Sequence, residues 1–180
     1  MTPATPMGKT TGRTMNVLVL CTGNSARSIL AECIFNHHSD GTIKAYSAGS
    51  NPTGIVHPLA IKALGLASIS AEGLRSKSWD EFSSPSAPNM DLVITVCDNA
   101  AKETCPIWPG APVSVHWGLP DPVMIDASQT QMSAAFEGTV SRLNSMVKET
   151  LSLPIQDMSV DELKAALIEI GNNNGAQTNQ

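Results

Sequence analysis

The sequence lacks the features that mark three common classes of protein. It contains no apolar run of about 18 residues, the length that a membrane-spanning helix needs. Its 11 Lys and Arg are scattered among 16 Asp and Glu, which gives a net charge of −5 and no basic stripe for nucleic acid. It has neither a Gly-rich dinucleotide fingerprint nor a Walker loop. We therefore expect no membrane, nucleic-acid or nucleotide partner.

A signal for export is also missing. Residues 1–14 are polar and have no apolar segment of the secretory kind, which predicts a disordered extension. The four cysteines then belong to a reducing compartment, and we expect the protein in the cytoplasm. In such a compartment cysteines are more often catalytic than structural. Nothing in the sequence demands more than a monomer.

Cys21 stands in the most informative segment of the chain. Val17–Leu20 is an apolar run typical of a buried strand, and the apolar spacing of Ile29–Phe35 predicts a helix. Five residues separate Cys21 from Arg27. The loop between strand and helix therefore presents backbone N–H groups at a helix N-terminus, where tetrahedral oxyanions bind.

The same positive field lowers the pKa of a thiol, so we expect Cys21 to be largely thiolate and nucleophilic at neutral pH. Arg27 can direct two N–H donors at the oxygens of a bound oxyanion. The alternative is a structural cysteine buried after a strand. We expect substrate contacts from the whole loop, that is Thr22, Gly23, Asn24, Ser25, Ala26, Arg27 and Ser28.

Two further cysteines follow the apolar segment Leu92–Val96, which is typical of a strand covered on both faces. Cys97 comes directly after it, and Cys105 lies eight positions further on. A regular helix would hold these two sulfurs about 12 Å apart, so a disulfide between them requires the segment to unwind. Both could instead be buried apolar residues. Cys33, within the first predicted helix, is expected only to pack.

Strands and helices alternate along the chain. The apolar patterns predict strands at 15–20, 43–47, 92–96 and 113–115, and helices at 25–38, 57–64, 79–82, 127–151 and 160–170. This alternation predicts an α/β fold: a single domain over 15–170 with a small four-stranded parallel sheet flanked by helices on both faces. The Asn- and Gly-rich residues 171–180 predict a disordered tail. Sites in such sheets lie beyond the carboxyl ends of the strands, where Cys21, Cys97 and Asp121 fall.

Together these motifs resemble a known family. Cys21, Arg27 and Ser28 match the oxyanion loop of the low-molecular-weight tyrosine phosphatases. The resemblance to the arsenate reductases built on that fold rests on residues 92–109, His116, Trp117, Gly118, Asp121 and Pro122. It covers roughly residues 15–150. It implies an arsenate reductase that contributes to arsenic detoxification.

The resemblance implies a role for each cysteine of a relay. Cys21 attacks arsenate held by the loop, and Asp121 is the general acid that protonates the departing oxygen. Cys97 then attacks the Cys21 sulfur and releases arsenite, and Cys105 carries the oxidation outward as a Cys97–Cys105 disulfide. An external thiol system resets the protein; thioredoxin is favoured, with glutaredoxin and glutathione as alternatives. No bound cofactor is implied.

Three details leave alternatives open. The second and third cysteines are eight positions apart here, but seven apart in the best-known thioredoxin-coupled reductases. Some relatives bind potassium beside the loop, and Asn24, Glu32 and Ser47 stand at matching positions, although each also has a structural explanation. No other metal site is predicted. His116 either orients the Asp121 loop or packs.

The main rival is a low-molecular-weight protein tyrosine phosphatase, in which water rather than Cys97 resolves the intermediate. Phosphate and arsenate have nearly the same shape and charge, so the loop alone does not discriminate between them. Phosphatases of this fold carry an aromatic residue after Asp-Pro, whereas Val123 and Met124 stand here. A non-catalytic oxyanion or redox sensor is the third alternative.

Overall fold

The computed structural model describes residues 12–103, 106, 108–110, 112–123 and 126–178. Its sheet contains the strands β1 (Met15–Cys21), β2 (Ile43–Gly49), β3 (Leu92–Thr95) and β4 (Val113–His116). The order across the sheet is β2-β1-β3-β4, and all neighbouring strands are parallel. The predicted α/β fold with a four-stranded parallel sheet is therefore confirmed.

Most of the helices begin at a residue whose side chain caps them. They are α1 (Arg27–His38), α2 (Pro58–Leu66), α3 (Asp98–Lys102), α4 (Gln129–Leu151) and α5 (Val160–Asn173), with short 3-10 helices at Trp79–Phe82 and Ile155–Asp157. Ser128 and Ser159 each form a capping box at the start of α4 and α5. His57 caps α2 by accepting a hydrogen bond from the N–H of Leu59 (3.1 Å). None of the helices in these ranges is long and apolar enough to cross a membrane.

The two faces of the sheet are covered unequally. Alternate residues of β1 point to opposite faces, as strand geometry requires. Val17 and Val19 pack into the larger core, which α1, α2, α4 and α5 complete. Leu18 and Leu20 face a smaller cluster that includes Phe82 of the 3-10 helix. Helices therefore lie on both faces, but the long ones share one face.

The expectation of a disordered tail is wrong for residues 171–178. Helix α5 continues to Asn173. Gln177 then exchanges two backbone hydrogen bonds with Gly118, of 2.7 and 2.9 Å, and Ala176 is buried. The polar composition of this segment did not predict its ordered structure, because backbone groups and not side chains form these hydrogen bonds.

The extension predicted at 1–14 falls mostly on residues 1–11, which lie outside the described part. Arg13 forms an ion pair with Asp91, and the Thr14 hydroxyl donates to the carbonyl of Gly41 (3.1 Å). These two residues are therefore attached to the domain directly before β1 begins.

The register of the sheet brings the predicted site residues to one edge. Leu20 of β1 lies opposite Thr95 of β3, which lies opposite His116 of β4. Cys21 is the residue after Leu20, and Cys97 is the second residue after Thr95. Both cysteines therefore emerge at the carboxyl edge, where sites of parallel sheets form.

Candidate active site

The segment between β1 and α1 is a loop that leads into a helix without a side-chain cap. It starts at Cys21, passes through Asn24 in the left-handed region (φ 44°) and reaches Ala26, the N-cap of α1. Ala26 has no side chain that could cap the helix, so the first N–H groups of α1 are available to an anion. A Cβ at Gly49 would lie 2.3 Å from the carbonyl oxygen of Thr22. The end of β2 can therefore approach the loop this closely only because residue 49 is glycine.

The loop forms the floor of a cleft of about 530 Å³. The start of α3 and the segment after β4 form its walls. The predicted site residues that line it are Cys21, Thr22, Gly23, Ser25, Ala26, Arg27, Cys97 and Asp121. Cys105 lies outside the described residues. The cleft thus joins side chains from three separate strand ends.

Asn24 and Ser28 are the two residues of the predicted substrate loop that do not line this cleft. Both are fully buried. The Asn24 amide Nδ2 donates to Ser28 Oγ (2.8 Å) and to Ser47 Oγ (3.0 Å). These side chains hold the loop from behind. The backbone N–H of Asn24 acts on the site itself, since it lowers the pKa of Cys21.

Cys21 and Cys97 are neighbouring buried free thiols at the base of the cleft. Interaction with the Cys97 thiol, followed by burial, raises the pKa of Cys21 above its ordinary value. The same interaction lowers the pKa of Cys97 to about 5. The Thr22 hydroxyl (3.6 Å) and the Ala100 N–H (3.4 Å) also contact the Cys97 sulfur and stabilise its charge. The interaction between the two thiols therefore raises the pKa of Cys21 and lowers that of Cys97.

The raised pKa of Cys21 opposes the expectation of a Cys21 thiolate at neutral pH. The charge of Arg27 and the N–H of Asn24 do lower the pKa of Cys21, as the loop geometry predicts. The neighbouring Cys97 sulfur outweighs them because its interaction with the Cys21 thiol and the repulsion between two adjacent charges both raise the pKa of Cys21. A Cys97 thiolate can attack the Cys21 sulfur once that sulfur carries a leaving group.

Arg27 has a donor that lacks an acceptor. Its side chain is only 13% exposed; Nη1 donates to the carbonyl of Leu119 (2.8 Å), and Nη2 lies 3.5 Å from Asp121 Oδ2. Its buried Nε has no hydrogen-bond partner among the residues that the structure describes. Leaving a buried charged donor unpaired is costly. An oxygen of a bound oxyanion would satisfy it.

Asp121 lies at the rim of the cleft, with 54% of its side chain exposed. Its Oδ1 accepts a hydrogen bond from the N–H of Val123 (3.0 Å), and its Oδ2 faces Arg27. The carboxyl group is therefore oriented by its own turn while remaining open to solvent. This is a suitable position for an acid that protonates an oxygen leaving the bound anion.

His116 orients α3 rather than the Asp121 loop. It is buried; Nδ1 lies 2.8 Å from Thr95 Oγ1, and Nε2 lies 3.0 Å from Asp98 Oδ1. Asp98 is the first residue of α3, next to Cys97. The sequence did not reveal Asp98 as a site residue because 18 positions separate it from its histidine.

Cys33 takes no part in the cleft. It is buried in α1, and burial together with the charge of Glu32 raises the pKa of its thiol to about 12. A thiol that stays protonated and buried is unreactive, which agrees with the packing role expected from the sequence.

Comparison with known proteins identifies the family of this chain. The model of the low molecular weight phosphotyrosine protein phosphatases matches residues 16–163. An arsenate reductase of Bacillus subtilis (strain 168) is 32% identical over 133 residues, which cover 74% of this chain and 92% of that protein.

Solved structures share the fold. The arsenate reductase of Archaeoglobus fulgidus DSM 4304 superimposes with a TM-score of 0.55 at 26% identity, covering 74% of this chain and 99% of that one. A thioredoxin-dependent arsenate reductase of Corynebacterium glutamicum gives a TM-score of 0.52 at 22% identity, covering 78% of this chain and 65% of that one. The family match includes the whole cleft and all three cysteines of the predicted relay. This chain belongs to the low molecular weight phosphotyrosine protein phosphatase family.

Proposed function

We propose that this protein reduces arsenate to arsenite with electrons taken from its own thiols. The observation that carries this proposal is the presence of two buried free thiols, Cys21 and Cys97, in one cleft above an oxyanion loop. An ester hydrolase of this fold needs one nucleophilic thiol and water. Two neighbouring thiols can additionally supply the two electrons that reduce pentavalent arsenic. The arsenate reductases among the relatives support the same substrate.

In the first step, arsenate occupies the loop, and its oxygens accept hydrogen bonds from the backbone N–H groups and from Arg27 Nε. Cys21 gives its proton to an arsenate oxygen, and its sulfur attacks arsenic. Asp121 protonates the oxygen that departs as water. The product is a covalent adduct between Cys21 and arsenic that is still pentavalent.

In the second step, the Cys97 thiolate attacks the sulfur of Cys21. The sulfur–arsenic bond breaks, and its electron pair stays with arsenic, which leaves as trivalent arsenite. A Cys21–Cys97 disulfide is formed, so two thiols have been oxidised for each arsenate reduced. The two neighbouring thiols lie in one cleft, which makes this step intramolecular.

The third step follows from the way in which Cys97 begins α3. Its sulfur accepts the hydrogen bond of the Ala100 N–H and thereby caps a helix of five residues. Disulfide formation neutralises that sulfur and weakens the cap. The short helix can then unwind, so that Cys105 attacks Cys97, frees Cys21 and forms a Cys97–Cys105 disulfide.

An external dithiol reduces this second disulfide. Thioredoxin is the first candidate because the C. glutamicum neighbour is thioredoxin-dependent. Glutaredoxin with glutathione is the alternative. Either reductant places the reaction in the cytoplasm, and neither requires a cofactor bound to this chain.

The proposal is tested by Cys97→Ser in an assay with thioredoxin, thioredoxin reductase and NADPH. We expect continuous NADPH oxidation by the unaltered protein on addition of arsenate, with arsenite detected as product. Cys97→Ser should lose multiple turnover, because the adduct on Cys21 cannot be resolved. Cys33→Ser is the matched control, since Cys33 is also buried and free but lies outside the cleft, and it should keep full turnover. Undiminished arsenate turnover by Cys97→Ser would remove Cys97 from the mechanism.

The rival phosphatase function is distinguished by p-nitrophenyl phosphate. Water resolves a phosphorylated Cys21 without help from Cys97, so a phosphatase should keep its hydrolysis rate in Cys97→Ser. If the unaltered protein forms no arsenite but hydrolyses the ester, it is a phosphatase. If it binds the anion and does neither, the sensor alternative remains. Parallel assays with glutaredoxin and glutathione identify the reductant.

A further inference from the structure

The segment that precedes the first 3-10 helix lies directly behind the oxyanion loop. The backbone N–H of Lys77 donates to the Asn24 Oδ1 (2.9 Å), and the Ser76 hydroxyl donates to the carbonyl of Gly23 (3.3 Å). In the opposite direction, Gly49 at the end of β2 donates its N–H to the carbonyl of Lys77 (3.0 Å). Lys77 is therefore fixed between the loop and the neighbouring strand.

The ammonium group of Lys77 is buried in this position, with only 7% of the side chain exposed. Nζ donates to the carbonyl of Arg75 (3.2 Å) and lies 3.8 Å from Glu32 Oε2. The Glu32 side chain is 16% exposed. Lysine and glutamate are buried to this extent almost only when they are paired. Each charge thus depends on the other.

A continuous chain of hydrogen bonds connects this ion pair to the loop. Ser47 Oγ donates to Glu32 Oε2 (2.6 Å) and accepts from Asn24 Nδ2 (3.0 Å). The same amide nitrogen also donates to Ser28 at the start of α1. Because Asn24 stands in the left-handed region, its side-chain contacts stabilise a backbone conformation that most residues avoid. The charge on Glu32 therefore influences the shape of the loop.

The same residues bear on the potassium hypothesis. Asn24, Glu32 and Ser47 do lie together, but the cation next to the Glu32 carboxylate is the ammonium of Lys77. A metal ion placed on this carboxylate would lie beside the buried ammonium of Lys77, and two neighbouring positive charges repel. The residues present therefore do not fit a potassium ion.

We propose that Lys77 is a positioning residue that supplies, from the chain itself, the positive charge behind the oxyanion loop. Its ammonium keeps Glu32 ionised, and Glu32 orients Ser47. The Ser47 hydroxyl and the backbone N–H of Lys77 then hold the Asn24 amide that shapes the loop. This rests on the proposed function only in requiring that the loop binds a tetrahedral oxyanion. Inorganic phosphate is therefore a sufficient probe, and the test is independent of arsenate reduction.

The first test compares Lys77→Met with Lys62→Met, an exposed lysine of α2 that serves as the matched control. Titration calorimetry with inorganic phosphate should show a dissociation constant about tenfold higher for Lys77→Met, as expected when a buried charge loses its partner. Lys62→Met should match the unaltered protein. Equal phosphate affinity in Lys77→Met and the unaltered protein would overturn the proposal.

A second variant separates positioning from packing. In Lys77→Met/Glu32→Gln neither charge remains, and the amide oxygen of the new glutamine side chain can still accept from Ser47. Phosphate affinity should therefore return to within about threefold of the original. A simple packing defect would not be repaired by changing Glu32. If Lys77→Met fails to fold, a folded double variant with recovered affinity supports the proposal, and a double variant that also fails contradicts it.

The third test addresses the cation directly. The melting temperature and phosphate affinity of the unaltered protein should be the same in potassium chloride and in choline chloride at equal ionic strength. Lys77→Ala removes the ammonium and leaves the oxygen ligands, so potassium should raise its melting temperature relative to choline. Stabilisation of the unaltered protein by potassium would show that Lys77 does not replace the ion.

Discussion

The ends of β1 and β3 each carry a cysteine thiol, but the helices that follow the two thiols differ greatly in length and burial. Each is a buried strand that ends near a cysteine and continues into a helix. Behind Cys21, helix α1 has 12 residues, seven of them buried. Behind Cys97, helix α3 has five residues, of which only Ala100 is buried. Because apolar burial supplies most of the stability of a helix, the first thiol is held firmly and the second weakly.

This difference suits the two thiols to different tasks. A nucleophile that binds and attacks an oxyanion needs a loop with fixed geometry, since loop N–H groups act only when they are already oriented. A thiol that receives an oxidation and passes it on must change partners, and regions with little buried surface open most readily. The comparison predicts that Cys21 stays in place through the reaction while the Cys97 segment rearranges.

The largest expected effect distinguishes the thiol at the end of β1 from the thiol that follows β3 by the reactions that each one supports. Cys21→Ser should lower both arsenate reduction and p-nitrophenyl phosphate hydrolysis by about 10⁴-fold or more, because both begin at this sulfur. Cys97→Ser should lose only the reduction. Rates of the two reactions, measured for both variants at one pH, check this. A Cys21→Ser protein that still hydrolyses the ester at an appreciable rate would show that the β1 thiol is not the nucleophile.

An intermediate effect concerns which of the two thiols is ionised. Since the pKa of Cys97 is lowered to about 5, its thiolate forms as the pH rises through that value and is lost below it. Cys21 should remain a thiol through neutral pH, because its pKa is raised. Absorbance of thiolate at 240 nm should therefore show one equivalent appearing near pH 5.

Removal of the partner should reverse this assignment. In Cys97→Ser the thiol interaction and the charge that raise the pKa of Cys21 are weakened, while Arg27 and the N–H of Asn24 still lower it. The pKa of Cys21 should fall, and site-resolved alkylation at neutral pH should be faster at Cys21 than in the unaltered protein. Cys33→Ser should titrate like the unaltered protein. An unchanged alkylation rate of Cys21 in Cys97→Ser would contradict the interaction between the two thiols.

The interaction between Cys21 and Cys97 also shows where inference from the sequence ends. The loop could be predicted because the strand, Cys21, Arg27 and the helix are contiguous, and local patterns determine each of them. The lowered pKa of Cys97 could not, since it depends on two thiols brought together by adjacent strands. Lys77 gave no local signal either, because 53 positions separate it from the Asn24 that it contacts.

The sheet itself was predictable because alternation of apolar segments determines a parallel topology with few alternatives. The pattern did not predict that its long helices would gather on one face, nor that Gln177 would pair with Gly118. Both depend on packing between distant segments. The polar composition near the C-terminus predicted disorder, because composition does not show whether backbone groups have hydrogen-bond partners.

The smallest expected effect tests the weak support of α3 directly. Asp98 stabilises the start of this helix through its position in the first turn and through His116. Asp98→Asn should accelerate amide hydrogen exchange in residues 98–102 by about two- to fivefold, the effect of losing one such charge at a helix N-terminus. Exchange in α1 should not change.

Asp161→Asn is the matched control for this variant. Asp161 is an exposed first-turn acid of α5, and the structure gives it no histidine partner among the described side chains. Its replacement should remove only the interaction with the helix dipole, so the acceleration in α5 should be smaller than in α3. The result that would contradict the comparison is amide hydrogen exchange in α3 that is as slow as in α1, in the unaltered protein or in Asp98→Asn. The two strand ends would then be equally rigid. The difference in support would then not explain why one sulfur attacks and the other relays.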